Sequence, residues 1–199
     1  GLIVPLGEWV LGQALTQLRQ WQMLPGREAL WVAVNLSCNQ LNRVDIDSTV
    51  ATALAESGVD PATVHLEITE SVLMERIDGS LETLNALRRL GVHLSVDDFG
   101  TGYSSLSYLK RLPVQTLKVD RTFTDGLGTD PHDTSIVRAI SAMSDELGLE
   151  LLAEGVETEA QLRELEALGC RLGQGFWWSE PMAARAATLW LTTRTRRRH

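Results

Sequence analysis

Two cysteines in 199 residues, Cys38 and Cys170, sit in no metal-ligand spacing and can make no disulfide framework. No run of 18 apolar residues occurs, so no membrane span is expected, and no basic stretch leads into an apolar one as a secretory signal would. A reducing cytoplasm is the expected setting. Basic charge is also scarce: 18 Lys and Arg stand against 26 Asp and Glu, a formal charge of −8. A generic DNA or RNA binder needs a basic face, so nucleic-acid polymers are excluded as partners. The one basic cluster is Arg194, Arg196, Arg197 and Arg198, and it reads as a solvated tail over 192–199. What is present is ample apolar material, 44% of the chain, enough for one sizeable core and hence a single domain over 1–199.

Strand-like and helix-like periods alternate along the chain. Helices are expected over Leu6–Gln22, Asp47–Ser57, Leu81–Leu90, Ser105–Leu109, Thr134–Leu147, Glu159–Leu168 and Ala183–Leu191. Strands are expected over Leu30–Asn35, Val64–Thr69, Val92–Asp97, Thr116–Asp120, Leu149–Glu154 and Leu172–Phe176. Such alternation means βαβ units and a parallel sheet. In the strands, Val64 and Leu66 oppose His65, Glu67 and Thr69, while Leu94 and Val96 oppose His93, Ser95 and Asp97. A doubly covered open sheet would be apolar on both faces. One oily and one polar face suit an α/β barrel of the (β/α)8 TIM type, with helices outside and polar groups inside. Eight strands close such a barrel and six are legible, so the first two strands are expected to lie before Gly1, in a longer polypeptide.

The inward polar residues gather at the C-terminal strand ends, where barrels place their chemistry: Asn35, Glu67, Asp97, Lys118, Asp120, Glu154 and Gln174. Five carboxylates in one mouth (Glu67, Asp97, Asp98, Asp120, Glu154) repel each other, and one lysine cannot neutralise them. Taken singly, each acid could be a surface or helix-capping group. As a set they call for cations, and an all-oxygen set with an Asn carbonyl favours Mg²⁺ or Mn²⁺ over zinc. Two ions bridged by adjacent Asp97 and Asp98 would suit phosphodiester hydrolysis. Lys118 would orient water or steady phosphate charge; its rival role is a Schiff-base lysine of a barrel lyase. The loop from Gly100 to Ser105 is a weak phosphate-cradle signal and equally a plain turn.

Val34-Asn35-Leu36-Ser37, Glu67-Ile68-Thr69-Glu70, the run Asp97-Asp98-Phe99-Gly100-Thr101-Gly102-Tyr103-Ser104-Ser105-Leu106, Leu117-Lys118-Val119-Asp120, Glu154-Gly155-Val156-Glu157 and Gln174-Gly175-Phe176 together resemble the EAL-domain family, in order and spacing. The opening Gly1 to Trp9 is similar to that family's helix after its second strand. The resemblance implies a (β/α)8-type barrel with one antiparallel strand, and a two-metal phosphodiesterase (Mg²⁺ or Mn²⁺) that hydrolyses cyclic-di-GMP to 5′-pGpG. It implies Asn35, Glu67 and Asp97 as ligands of a first ion. Asp97 would bridge to a second ion held with Asp98 and Glu154. Lys118 would hold the attacking water, with Gln174 nearby. Glu70 would fix the Asp97–Gly100 loop, Asp120 and Glu157 would support the site, and Phe176 would stack on guanine unless it packs in the core with Trp177 and Trp178.

The Glu-Ala-Leu segment that names the family is absent from these 199 residues, and with it one metal ligand and a phosphate-binding arginine. The chain by itself is therefore expected to be poorly active. A homodimer and an upstream sensory or GGDEF-type domain are the implied partners. The competing reading within the family is a non-hydrolysing cyclic-di-GMP receptor; the retained acids argue against it.

Overall fold

The computed structural model describes residues 2–75, 77–102 and 106–193. Arg194 and Arg196–Arg198 of the expected tail, and Tyr103, Ser104 and Ser105 of the expected loop, lie outside the described residues. The elements are α1 (Ile3–Gln22), β1 (Val32–Asn35), α2 (Cys38–Leu41), α3 (Ile46–Ser57), β2 (Val64–Thr69), α4 (Glu70–Glu75), α5 (Ile77–Arg89), β3 (His93–Phe99), α6 (Leu106–Leu109), β4 (Thr116–Val119), α7 (Arg121–Asp125), α8 (Pro131–Leu147), β5 (Glu150–Ala153), α9 (Glu159–Ala167), β6 (Leu172–Gly173) and α10 (Ala184–Thr193). Thr192 and Thr193, assigned above to the tail, are the last turn of α10.

Six strands form one parallel sheet in sequential order, β1 to β6. Sequential order with a helical crossover at every step is the wall of a TIM-type barrel, not of a doubly wound sheet, whose order reverses midway. All five pairings are parallel, and the antiparallel strand implied above is not among these six. No helix among the described residues is long and apolar enough to cross a membrane.

The helices pack on the outer face because their apolar stripes do. Leu11, Leu15 and Leu18 of α1 and Val50 and Leu54 of α3 are buried, as are Val137 and Ile140 of α8. They join Val64, Leu66, Ile68, Leu94, Val96, Leu117 and Val119, the outward residues of the central strands, in one core. Helix ends follow local chemistry. Gly58 and Gly148 close α3 and α8 in the left-handed conformation. Ser37 with Gln40, and Thr158 with Gln161, form capping boxes at the starts of α2 and α9.

The inward layer near the strand starts is aromatic. Trp31 stacks on His65 (centroids 4.2 Å apart, planes at 16°), and His65 stacks on His93 (4.6 Å, 9°). Burial, with the neighbouring His93 second, depresses His65 to a pKa of about 4.

A candidate active site at the C-terminal strand ends

Lys118 is the centre of the site. It is inward-facing on β4 and 2% exposed. Its Nζ lies 2.8 Å from Glu67 Oε1 on β2, 2.8 Å from Asp97 Oδ1 on β3 and 2.5 Å from Glu154 Oε1 just past β5. Burial alone would lower the lysine, but hydrogen bonds to Asp97, Glu154 and Glu67 outweigh it and hold the ammonium above its ordinary value. A Schiff-base lysine must shed that proton, so the lyase role does not fit this environment. Glu67 and Glu154 are pushed up by burial, with Lys118 opposing. The pocket holds more negative charge than one ammonium can answer.

The neighbouring Asp97 and Asp98 would point to opposite faces of a regular strand. They do not, because β3 carries a bulge. Val96 pairs with Leu117 and Phe99 with Val119, so Asp97 and Asp98 together face the single residue Lys118. Asp98 takes a positive φ of 55° to do so, an arrangement Asp tolerates better than most residues. As a result, oxygens of Asp97, Asp98 and Glu154 all lie within 4.8 Å of one another. Burial, then Asp97 and Asp120, raises the Asp98 carboxyl.

Asp120 combines two of the readings made from sequence. It is a helix cap, its carboxylate accepting from the Thr122 amide (2.9 Å) and hydroxyl (2.6 Å) at the start of α7. Asp98 lies close enough to interact with it, and a proton shared by the two carboxyls would sit on Asp98. Burial opposes the ionisation of Asp120, yet the Thr122 bonds hold it below the usual range. Gln174 follows β6 and its Nε2 donates to Glu154 Oε1 at 2.9 Å. Asn35 ends β1 in register with Glu67 and is exposed.

Glu70 is 1% exposed, and its Oε2 accepts from the Gly100 amide at 2.9 Å. Gly102 passes so close that a Cβ there would lie 2.8 Å from Glu70 Oε1. The turn after Asp98 is thereby anchored to a buried carboxylate. Glu157 stands back from the lysine and pairs with Arg121 (2.8 Å). Phe176 is 52% exposed and Trp177 42%, so neither is core. Only Trp178 packs inward, over Gly173. Sequence reasoning missed Arg121, whose stem lies on Gly155, and the Trp31–His65–His93 stack. The signal for the first was its place directly after a strand-end acid.

The acid set fits a hard divalent cation. Its donors are all carboxylate oxygens. Lys118 occupies one oxygen each of Glu67, Asp97 and Glu154, and every carboxylate carries a second.

The family model described as "EAL domain" matches residues 1–181. The Pseudomonas aeruginosa protein "Bifunctional diguanylate cyclase/cyclic di-GMP phosphodiesterase MucR" is 49% identical over 185 residues, 92% of this chain and 27% of that protein. The chain spans about a quarter of the length of the curated relatives it matches. The solved structure "PaMucR Phosphodiesterase, c-di-GMP complex" superimposes with a TM-score of 0.89 at 47% identity, covering 94% of this chain and 75% of that one. A Klebsiella pneumoniae BlrP1 structure with manganese and cyclic-di-GMP does so with a TM-score of 0.81 at 30% identity, covering 89% and 45%. Family model, sequence relative and superposition agree along almost the whole length, and the chain belongs to the EAL-domain family.

Proposed function

We propose that this chain is the catalytic part of a metal-dependent phosphodiesterase that hydrolyses cyclic-di-GMP to 5′-pGpG. The observation that carries the reading is the buried Lys118 held by Glu67, Asp97 and Glu154, with Asp98 brought alongside by the β3 bulge. A receptor that only binds the dinucleotide has no need to keep a costly concentration of buried like charge. MucR's description and the dinucleotide in the PaMucR complex support the same substrate.

In this reading Asn35, Glu67 and Asp97 would hold one divalent ion, Mg²⁺ or Mn²⁺, and Asp97, Asp98 and Glu154 would hold a second. The manganese in the BlrP1 complex supports the choice of metal. When loaded, the site gains Lewis acidity toward phosphate and a more acidic bound water. Lys118 keeps its proton; its three N–H donors are held by Glu67, Asp97 and Glu154, and a carboxylate that turned to a bound cation would free one for the attacking water or a phosphate oxygen. One P–O ester bond breaks as the water oxygen bonds to phosphorus, the proton the water gives up is made good on the departing sugar oxygen, and the ring opens. Gln174 orients Glu154, Glu70 holds the turn after Asp98, Asp120 and Glu157 support the rim, and exposed Phe176 offers a face to guanine. The net charge of −8 ceases to oppose a dianionic substrate once cations answer the acid cluster.

The same reading places the domain in a cytoplasmic homodimer, with a sensory or GGDEF-type domain elsewhere in the parent protein. MucR's description as a diguanylate cyclase as well as a phosphodiesterase supports that company. The test is incubation of the full-length parent protein with cyclic-di-GMP and Mn²⁺ or Mg²⁺, resolving products by chromatography. We expect 5′-pGpG, none of it in EDTA, and a loss of about 100-fold or more in Lys118→Met. Tight binding of intact dinucleotide with no product, in a protein that binds Mn²⁺, would establish a receptor instead.

A further inference from the structure

Glu154, like Asp120, lies beyond the last residue of its strand, so the turn that follows decides where its carboxylate sits. That turn is held at two successive residues. Gly155 has a φ of +69°, and a Cβ on it would overlap Arg121 Cγ, so the aliphatic stem of Arg121 lies flat on the glycine. The Arg121 guanidinium then reaches Glu157 (Nη2–Oε1 2.8 Å) on one side and Asp125 (Nε–Oδ2 3.2 Å) on the other. The next residue is held as well: the backbone of Val156 is packed against Gly175, where a Cβ would overlap it, and the Val156 amide donates to Gln174 O at 3.1 Å. Arg121 also directly follows Asp120, the partner of Asp98. Arg121 thus joins the turn after Glu154 to the start of α7, one residue from Asp120.

We propose that Arg121 is a positioning residue that sets Glu154 against Lys118, Asp97 and Asp98, and so sets the affinity of the acid cluster for a divalent cation. This rests on the metal-binding part of the functional reading above. A role in global stability is the alternative, and exposure speaks against it. The Arg121 side chain is 53% exposed and its partners Asp125 and Glu157 51% and 37%, and ion pairs that open to water add little to folding.

The test measures Mn²⁺ binding to the metal-free protein by calorimetry, beside its thermal melting without metal. Arg121→Ala is expected to melt where the wild type does and to bind Mn²⁺ about tenfold more weakly, the low end for residues that support metal ligands. Arg121→Lys keeps the stem over Gly155 and one cation near Glu157, and is expected to recover most of that affinity. An alanine variant that binds Mn²⁺ as tightly as the wild type overturns the proposal and leaves the hydrolase reading standing. So does one that melts several degrees lower and is not restored by lysine. A wild-type protein that takes up no Mn²⁺ overturns both.

Discussion

Lys118 and His65 both point to the barrel interior, and burial disfavours the charged form of each. The outcomes differ because of what surrounds them. Lys118 has three carboxylates within hydrogen-bonding distance and stays an ammonium. His65 has aromatic faces on both sides, Trp31 and His93, and stays a neutral imidazole. The His65 environment has a consequence for stability. In the unfolded chain the ring takes a proton near its ordinary value of 6.5, while the folded protein refuses it until about pH 4. The unfolded state therefore binds more protons between those limits. The stabilisation that depends on neutral His65 is complete above pH 6.5 and is lost as pH falls towards 4. Between pH 7.5 and 5.5 the wild type should lose about 1 kcal/mol more unfolding free energy than His65→Phe, which keeps a ring in the stack and cannot titrate. Urea denaturation of the metal-free proteins at the two pH values measures this. Identical pH dependence in both would mean that His65 takes up its proton in the fold as readily as in the unfolded chain.

At the scale of elements, backbone conformation alone separates two glycines that both have open space around them. Nothing lies within 4 Å of a Cβ built on Gly12 in the middle of α1, or on Gly148 at the end of α8. Gly12 is helical, so alanine there should stabilise the fold by roughly 0.5–1 kcal/mol. Gly148 has a φ of 68°, so alanine should cost about 1 kcal/mol, a melting temperature lower by roughly 2–4 °C. Differential scanning calorimetry of the two variants should show shifts of opposite sign. Glycine stops of this kind made the long helices legible in the sequence: α3 ends at Ser57 before Gly58, and α8 at Leu147 before Gly148. β2 runs over Val64–Thr69 as its alternation indicates. What escaped reading were α2, α4 and α7, helices of four to six residues. These are too short to show a helical period, and α2 and α7 start where a polar cap, Ser37 or Asp120, meets a strand end. β6 is shorter than expected, Leu172–Gly173, because the chain turns at Gln174 to meet Glu154. The bulge in β3 was the consequential omission. Asp98 is expected in the mouth beside Asp97 although strict alternation would turn it away, and the pairing with β4 supplies the reason it faces Lys118.

For the molecule as a whole, the acid cluster gathers side chains from strands distant in sequence. Glu67 comes from β2, Asp97 and Asp98 from β3, and Glu154 from the end of β5. An unfolded chain cannot present this set, so a cation that binds it binds the native state alone. Mass action then stabilises the fold by about 2.7 kcal/mol at a free concentration one hundred times the dissociation constant. For a domain of this size that amounts to a rise in melting temperature of roughly 5–10 °C. The surplus of acids over bases would also give any salt a small stabilising effect through screening, so ionic strength must be matched. Melting should rise with MnCl₂ and not with NaCl at equal ionic strength, and EDTA should reverse the rise. Asp97→Asn should abolish most of it, because Asp97 lies at the junction of Lys118 and the Asp98–Glu154 group. Equal rises with the two salts would assign the whole effect to screening. The acids would then be a charged lining held together by Lys118, with no specific cation site among them.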